Sequence, residues 1–169
     1  RFIAYLQAYT GTYAAPERLY ALYHMALSHP KIIGISIATR PDCLPAPVLD
    51  VIKQCQMEFP DKFVWIELGL QSVHEKTALY IRRGYPLSCF EGALETLQTM
   101  SVPVIVHVIL GLPGETRADM LATIDYLSHK NIFGIKLQLL HVLRGTDLAA
   151  EYERGVFSCL SKEAYIDLL

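Results

Sequence analysis

Two stretches of this chain, and a few single residues outside them, gather residue types that do chemistry. Glu67-Leu-Gly-Leu-Gln-Ser72 puts a carboxylate, a carboxamide and a hydroxyl within six positions, a set that can hold hydroxyl or amine groups or, through the carboxylate, handle a proton. Gly111-Leu-Pro-Gly-Glu-Thr116 supplies two glycines for close backbone approach and, if a helix starts behind it, free amides for a polar ligand. It lacks the lysine of a P-loop, and a tight capped turn explains it equally well. His107 and His141 are candidate ligands, while Arg40 can clamp a carboxylate through two parallel N–H bonds.

Every one of these residues also has a purely structural explanation. A buried Glu67 needs a partner, so it is either paired with Arg40 or Lys136 or turned toward a ligand cavity. His107 interrupts the apolar run Val104–Leu110 and reads more readily as a hydrogen-bonded core residue, whereas His141 follows a strand end and is better placed for a site. Arg83 closes Ile81-Arg-Arg-Gly84, where a cation at a helix terminus is favourable in any case. Arg40 sits in Thr39-Arg-Pro-Asp42, within reach of Asp42 for a loop salt bridge. Tyr5, Tyr9 and Tyr13 read as core and rim.

The elements that must position these residues recur with a period. Strand-like runs at Phe2–Ala8, Ile32–Thr39, Phe63–Leu70, Val104–Leu110 and Phe133–His141 begin 30, 31, 41 and 29 residues apart. About 30 residues is the size of a strand plus a crossover helix, which forces parallel neighbours. Pro16 opens a helix to His29 with Leu19, Tyr23, Ala26 and Leu27 on one face, and Pro47 opens Val48–Met57. Ser72 with Glu75, Ser88 with Glu91 and Thr116 with Asp119 have capping-box spacing and predict helices near 73–82, 90–100 and 117–129. Ala93/Leu94/Leu97 and Met120/Leu121/Ile124/Leu127 form stripes of helical period, and Ser161–Leu169 begins one more helix.

Runs apolar on both faces suit a parallel sheet covered by helices. In Val64–Gln71 the period of two puts Trp65, Glu67, Gly69 and Gln71 on one face and Val64, Ile66, Leu68 and Leu70 on the other. An inner face turning polar toward the strand's carboxyl end is the pattern of a (β/α) barrel with a site at its mouth. Five strands do not close a barrel, so the expectation is an α/β, partial (β/α)6 TIM-type open barrel with strands two to six present and the first absent. The start on Arg1, directly at a strand, fits a fragment.

With 169 residues, 52% apolar and 19% charged, the chain has the make-up of one globular domain, expected to span residues 1–169. Bases are scattered and the net charge is −2, so neither a phosphate-tracking stripe nor a polybasic membrane patch is present. The apolar stretch Val102–Leu112 is about half what a membrane helix needs. Cys43, Cys55, Cys89 and Cys159 contain no Cys-x2-Cys pair, which points away from a disulfide framework or zinc knuckle and toward a reducing, cytoplasmic setting.

Taken in order, Gln7-Ala-Tyr-Thr10, Thr39-Arg-Pro-Asp-Cys43, Glu67-Leu-Gly-Leu-Gln-Ser72, Ile81-Arg-Arg-Gly84, His107-Val-Ile-Leu-Gly-Leu-Pro-Gly-Glu-Thr116 and Leu139-Leu-His-Val-Leu-Arg-Gly-Thr146 resemble a largely uncharacterised bacterial subgroup of radical SAM proteins. That subgroup is similar to the Elongator-type catalytic subunit and to oxygen-independent coproporphyrinogen oxidases. The resemblance implies a partial barrel in which S-adenosylmethionine lies across the carboxyl ends of the strands and chelates a 4Fe-4S cluster. It implies Gln71 on the ribose or methionine part, Arg83 on the carboxylate, Ile109 and Gly111, Pro113, Gly114 and Glu115 along the adenine, and Thr10 and its neighbours where a glycine-rich loop holds the methionine amine. Thr39, Arg40, Glu67, Ser72 and His141 complete the candidate cofactor-binding set, and His107 stands where some relatives have an acid.

The cluster motif Cys-x3-Cys-x2-Cys is absent from these residues. In the family it follows the first barrel strand, upstream of this chain's start. The expectation is therefore a core fragment that, alone, neither holds the cluster nor reacts. The intact enzyme would form a 5′-deoxyadenosyl radical and abstract hydrogen from a substrate. Likeness to uridine-modifying relatives admits tRNA as a partner, although the charge lends RNA no support, and an exposed edge at Phe2–Ala8 would favour self-association. Two rival readings are a metal-dependent barrel hydrolase or lyase using Glu67, His107 and His141, and a noncatalytic binding scaffold.

Overall fold

The computed structural model describes residues 1–169. Five strands, β1 (Phe2–Leu6), β2 (Ile32–Thr39), β3 (Phe63–Gln71), β4 (Val104–Leu110) and β5 (Gly134–Leu139), pair in chain order and all in parallel. Between them run α1 (Pro16–Ser28), α2 (Ala46–Glu58), the short α3 (Glu75–Tyr80), α4 (Leu87–Thr99) and α5 (Arg117–Ser128). The result is a curled half-barrel, an α/β sheet of the TIM-type partial kind expected from the repeat.

The core lies between the sheet's convex face and the helices. Val64, Ile66, Leu68 and Leu70 of β3 and Val104, Val106, Val108 and Leu110 of β4 alternate into it, against Tyr23 and Leu27 of α1, Ile52 and Cys55 of α2, Phe90 and Leu97 of α4 and Leu127 of α5. On β4 the other alternate residues, Ile105, His107 and Ile109, are only half-buried, because the concave face is left open. No helix is long and apolar enough to cross a membrane.

Several boundaries differ from the sequence reading. β1 stops at Leu6 because Gly11 rather than residue 8 donates to Ala38, and β5 runs only over Gly134–Leu139. Of the three capping-box spacings only Thr116 forms one: its hydroxyl accepts from the Asp119 amide and the Asp119 carboxylate accepts from the Thr116 amide at 2.8 Å. Ser72 instead donates to Glu115, leaving His74 as the uncapped start of α3. Ser88 lies inside α4, which begins a residue earlier behind Pro86, and Glu91 turns to Tyr126 and Lys130. Leu121 is exposed rather than part of the α5 stripe. A 3-10 turn at Pro41–Cys43 and the helix α6 (Asp147–Glu153) were not legible in the periodicity, while α7 (Lys162–Ile166) begins behind Ser161 as expected.

Candidate functional site

The concave face carries one polar layer to which every strand contributes a residue. Glu67 of β3 is its centre: Oε1 accepts from the Ser36 hydroxyl of β2 at 2.6 Å, and Oε2 accepts from Tyr5 of β1 at 2.9 Å, His107 Nε2 of β4 at 2.6 Å and Lys136 Nζ of β5 at 3.1 Å. Lys136 also donates to the Tyr5 hydroxyl at 2.6 Å, so Tyr5 relays between cation and carboxylate. The pleat explains the gathering, since inner-facing residues of adjacent parallel strands stand side by side, as His107 and Lys136 do in the β4–β5 register.

The electrostatics follow from this geometry. Burial alone would raise the Glu67 pKa, but donors from Ser36, His107, Tyr5 and Lys136 outweigh it and hold the carboxyl at about 2. Burial pushes His107 below its ordinary value against the pull of Glu67, with Lys136 adding to the downward shift. Burial would lower Lys136 too, yet its bonds to Tyr5 and Glu67 carry it upward. At neutral pH the layer is thus a carboxylate, an ammonium and a neutral imidazole whose Nε2 carries the proton, because an ionised Glu67 can only accept. His107 Nδ1 has no hydrogen-bond partner, and the side chain is 13% exposed.

Below the layer, toward the amino ends of the strands, Phe63 stacks on Trp65 at a centroid distance of 4.1 Å and Phe133 lies against Trp65 at 5.3 Å, forming an aromatic floor. Gly34 sits under it, where a Cβ would fall 2.4 Å from the Phe63 ring.

Above the layer β3 ends in a register shift between Gly69 and Gln71, and Gln71 adopts φ 68°. This left-handed residue turns its carboxamide back over Gly69, and Gln71 Oε1 is buried without a hydrogen-bond partner. Directly after it, Ser72 bonds Glu115, tying the β3 end to the Gly111–Thr116 turn. Gly111 and Gly114 both have positive φ, as that turn requires. Pro113 and Gly114 face Lys76, Thr77, Tyr80, Val156 and Phe157 across a cavity of about 330 Å³.

The remaining sequence candidates separate. Arg83 is buried, with its side chain 1% exposed, and donates to the carbonyls of Leu70, Ser72 and Tyr85 and to Glu75. It clamps the backbone that carries Gln71. Arg40 pairs with Asp42 at 2.7 Å and lies over the Tyr85 ring, so the partner of Glu67 is Lys136 and not Arg40. Thr39 is buried and shares a hydrogen bond with Thr12, which holds the loop after β1 against the end of β2, while Thr10 lies half-exposed in that loop. Ile109 is half-buried on the inner face of β4, and His141 is exposed beyond β5. Glu67, His107 and His141 therefore do not assemble into a metal-ligand set, and no three His, Cys, Asp or Glu residues elsewhere do so.

The sequence pointed to Glu67 and His107 and offered Lys136 as one of two partners for Glu67, but not that Tyr5 and Ser36 join them. The signal was present: aligning the parallel strands in register and keeping alternate residues puts all five on one face.

Comparison with known proteins adds the family. The profile of the Radical SAM superfamily matches residues 5–127. The uncharacterised protein YtqA of Bacillus subtilis is 40% identical over 169 residues, which is 100% of this chain and 52% of that protein. Among solved structures, the archaeal Elp3 of Methanocaldococcus infernus, with its N-terminus deleted, superposes with a TM-score of 0.81 at 17% identity over 98% of this chain and 43% of its own. Coproporphyrinogen III oxidase (HemN) of Escherichia coli, a radical SAM enzyme, superposes with a TM-score of 0.59 at 12% identity over 98% of this chain and 49% of its own. The chain spans about half the length of the curated relatives it matches.

Proposed function

The chain belongs to the radical SAM superfamily, and on that premise we propose that it is the core of an enzyme that binds S-adenosylmethionine across the carboxyl ends of β1 to β5 and uses it, with a 4Fe-4S cluster, to abstract hydrogen from a substrate. The observation that carries this reading is the buried, unpartnered Gln71 Oε1 at the β3 register shift, a polar acceptor with no donor from the protein. A ribose hydroxyl or an ammonium group supplies such a donor. The Gly111–Glu115 turn at the start of α5 and the Thr10 loop flank the same mouth and suit the rest of the molecule.

When bound, the cofactor pair would supply the chemistry for abstracting a hydrogen atom from a substrate C–H bond. The protein's own part is placement and exclusion of water. Gln71 accepts from the cofactor; Arg83 fixes the Leu70 and Ser72 carbonyls and so the strained residue between them; Ser72 and Glu115 lock the two loops together. Arg83, with four of its donors already engaged, acts through Gln71 in this reading. Cluster ligands come from outside these 169 residues, since Cys-x3-Cys-x2-Cys is not among them, and the chain alone is inactive.

The test uses the full protein, reconstituted anaerobically with iron and sulfide, reduced with dithionite and given S-adenosylmethionine, with 5′-deoxyadenosine measured by mass spectrometry. Formation of the nucleoside, reduced at least about tenfold in Gln71→Ala as expected for one lost hydrogen bond to a buried group, supports the reading. A loaded cluster with no cleavage would overturn it.

A further inference from the structure

The polar layer of the concave face is satisfied on one side and open on the other. Glu67 has all its demand met by four donors. His107 Nδ1 and the third N–H of Lys136 have no partner. His107 and Lys136 are register partners on β4 and β5, and both donate to Glu67 Oε2, at 2.6 and 3.1 Å. One is an acceptor and the other a cationic donor.

We propose that His107 and Lys136 form the recognition edge of the substrate site, and that they take a planar group carrying an N–H and an adjacent C=O, as in a lactam, an imide or a secondary amide held cis. The N–H donates to His107 Nδ1 and the carbonyl accepts from Lys136. Glu67 is the positioning residue: it fixes the His107 proton on Nε2 and holds the Lys136 ammonium in place.

The surroundings fit a ring rather than a bare polar group. Ile105 and Ile109 flank His107 on the same face of β4, and Trp65 with Phe133 forms the floor. Beside Lys136 the strand has Gly134, where a Cβ would meet, apart from its chain neighbours, only Ile105 at 3.9 Å. Charge argues in the same direction. Glu67 and Lys136 are the only charged residues on the inner face of the five strands, and they cancel, which leaves a neutral donor–acceptor pair and not an anion trap.

This inference names the substrate class within the function proposed above and rests on it, but its test needs neither cluster nor S-adenosylmethionine, so the two fail separately. The full protein is labelled with 15N in its histidine rings, and three probes are titrated in turn: succinimide, N-methylsuccinimide and acetate. Before any probe, His107 should show an unprotonated Nδ1 and a protonated Nε2. Succinimide should move the Nδ1 resonance saturably in the direction of an accepted hydrogen bond, with an apparent affinity about tenfold above that of N-methylsuccinimide, which lacks the N–H. Lys136→Met, which removes the donor to the carbonyl, should weaken succinimide about tenfold. Equal response to both imides, protonation of Nδ1 by acetate in place of an imide response, or no response of His107 to any probe would each overturn the proposal. The three-probe comparison on the unaltered protein decides the matter whether or not Lys136→Met folds.

Discussion

Replacing Glu67 by Gln keeps the shape of the side chain and removes the charge on which the concave layer is built. The carboxylate accepts four hydrogen bonds, at 2.6, 2.6, 2.9 and 3.1 Å. A carboxamide has one acceptor oxygen, and its NH2 would face donors. Hydrogen bonds to charged groups contribute about 1.5–3 kcal/mol each, but Lys136 is a third exposed and can turn to water, so the net loss is nearer the value of one or two bonds. Linkage gives an independent figure. A carboxyl moved from 4.5 in the unfolded chain to about 2 in the fold contributes about 3 kcal/mol at neutral pH. Because the folded pKa is depressed, that stability is present above pH 4.5 and is lost as pH falls toward 2. His107, also depressed by burial, loses stability in the same direction below 6.5. Urea unfolding followed by circular dichroism should therefore find Glu67→Gln about 3 kcal/mol less stable at pH 7, with the difference falling to about 1 kcal/mol near pH 2.5. A variant within about 0.5 kcal/mol at pH 7, or a difference that stays constant down to pH 2.5, would refute the claim that the four donors act on an ionised carboxylate.

Other substitutions test the scaffold that positions the site. Arg83→Met leaves the carbonyls of Leu70, Ser72 and Tyr85 without their donor in a buried position, and should cost about 3 kcal/mol, with faster hydrogen exchange confined first to residues 70–75. Gly34→Ala sets a methyl 2.4 Å from a Phe63 ring that is pinned against Trp65; a loss of about 1–3 kcal/mol and a changed tryptophan emission are expected. Thr116→Ala removes the hydroxyl half of the capping box of α5 and should lower stability by about 1 kcal/mol, measured by urea unfolding, while Thr116→Ser keeps most of it.

Strand existence, order of elements and the buried faces were legible in the sequence. β2 and β4 run over the residues expected, and the alternation in Val64–Gln71 separates Val64, Ile66, Leu68 and Leu70 from Glu67 as read. Hydrophobic period is a local property, set by which side chains must leave water, so it survives without knowledge of the fold. Caps were less legible. Ser72 and Ser88 have the same spacing to an acid as Thr116, yet their acids are drawn to Arg83, Leu87, Tyr126 and Lys130, partners far along the chain.

The site divides along the same line. The sequence by itself determined that the chain is a βα repeat with parallel strands, that Glu67 and Gln71 share a strand face near its carboxyl end, and that a glycine-containing turn follows β4, because each depends only on residue type and spacing along one element. Only the tertiary structure decided that Tyr5, Ser36, His107 and Lys136 converge on Glu67, that Arg40 is taken by Asp42, and that Arg83 is a buried clamp. Those outcomes depend on register between strands up to 131 residues apart and on competition among several charged groups for one partner, and a free energy of that kind is fixed only when all the competitors are in place.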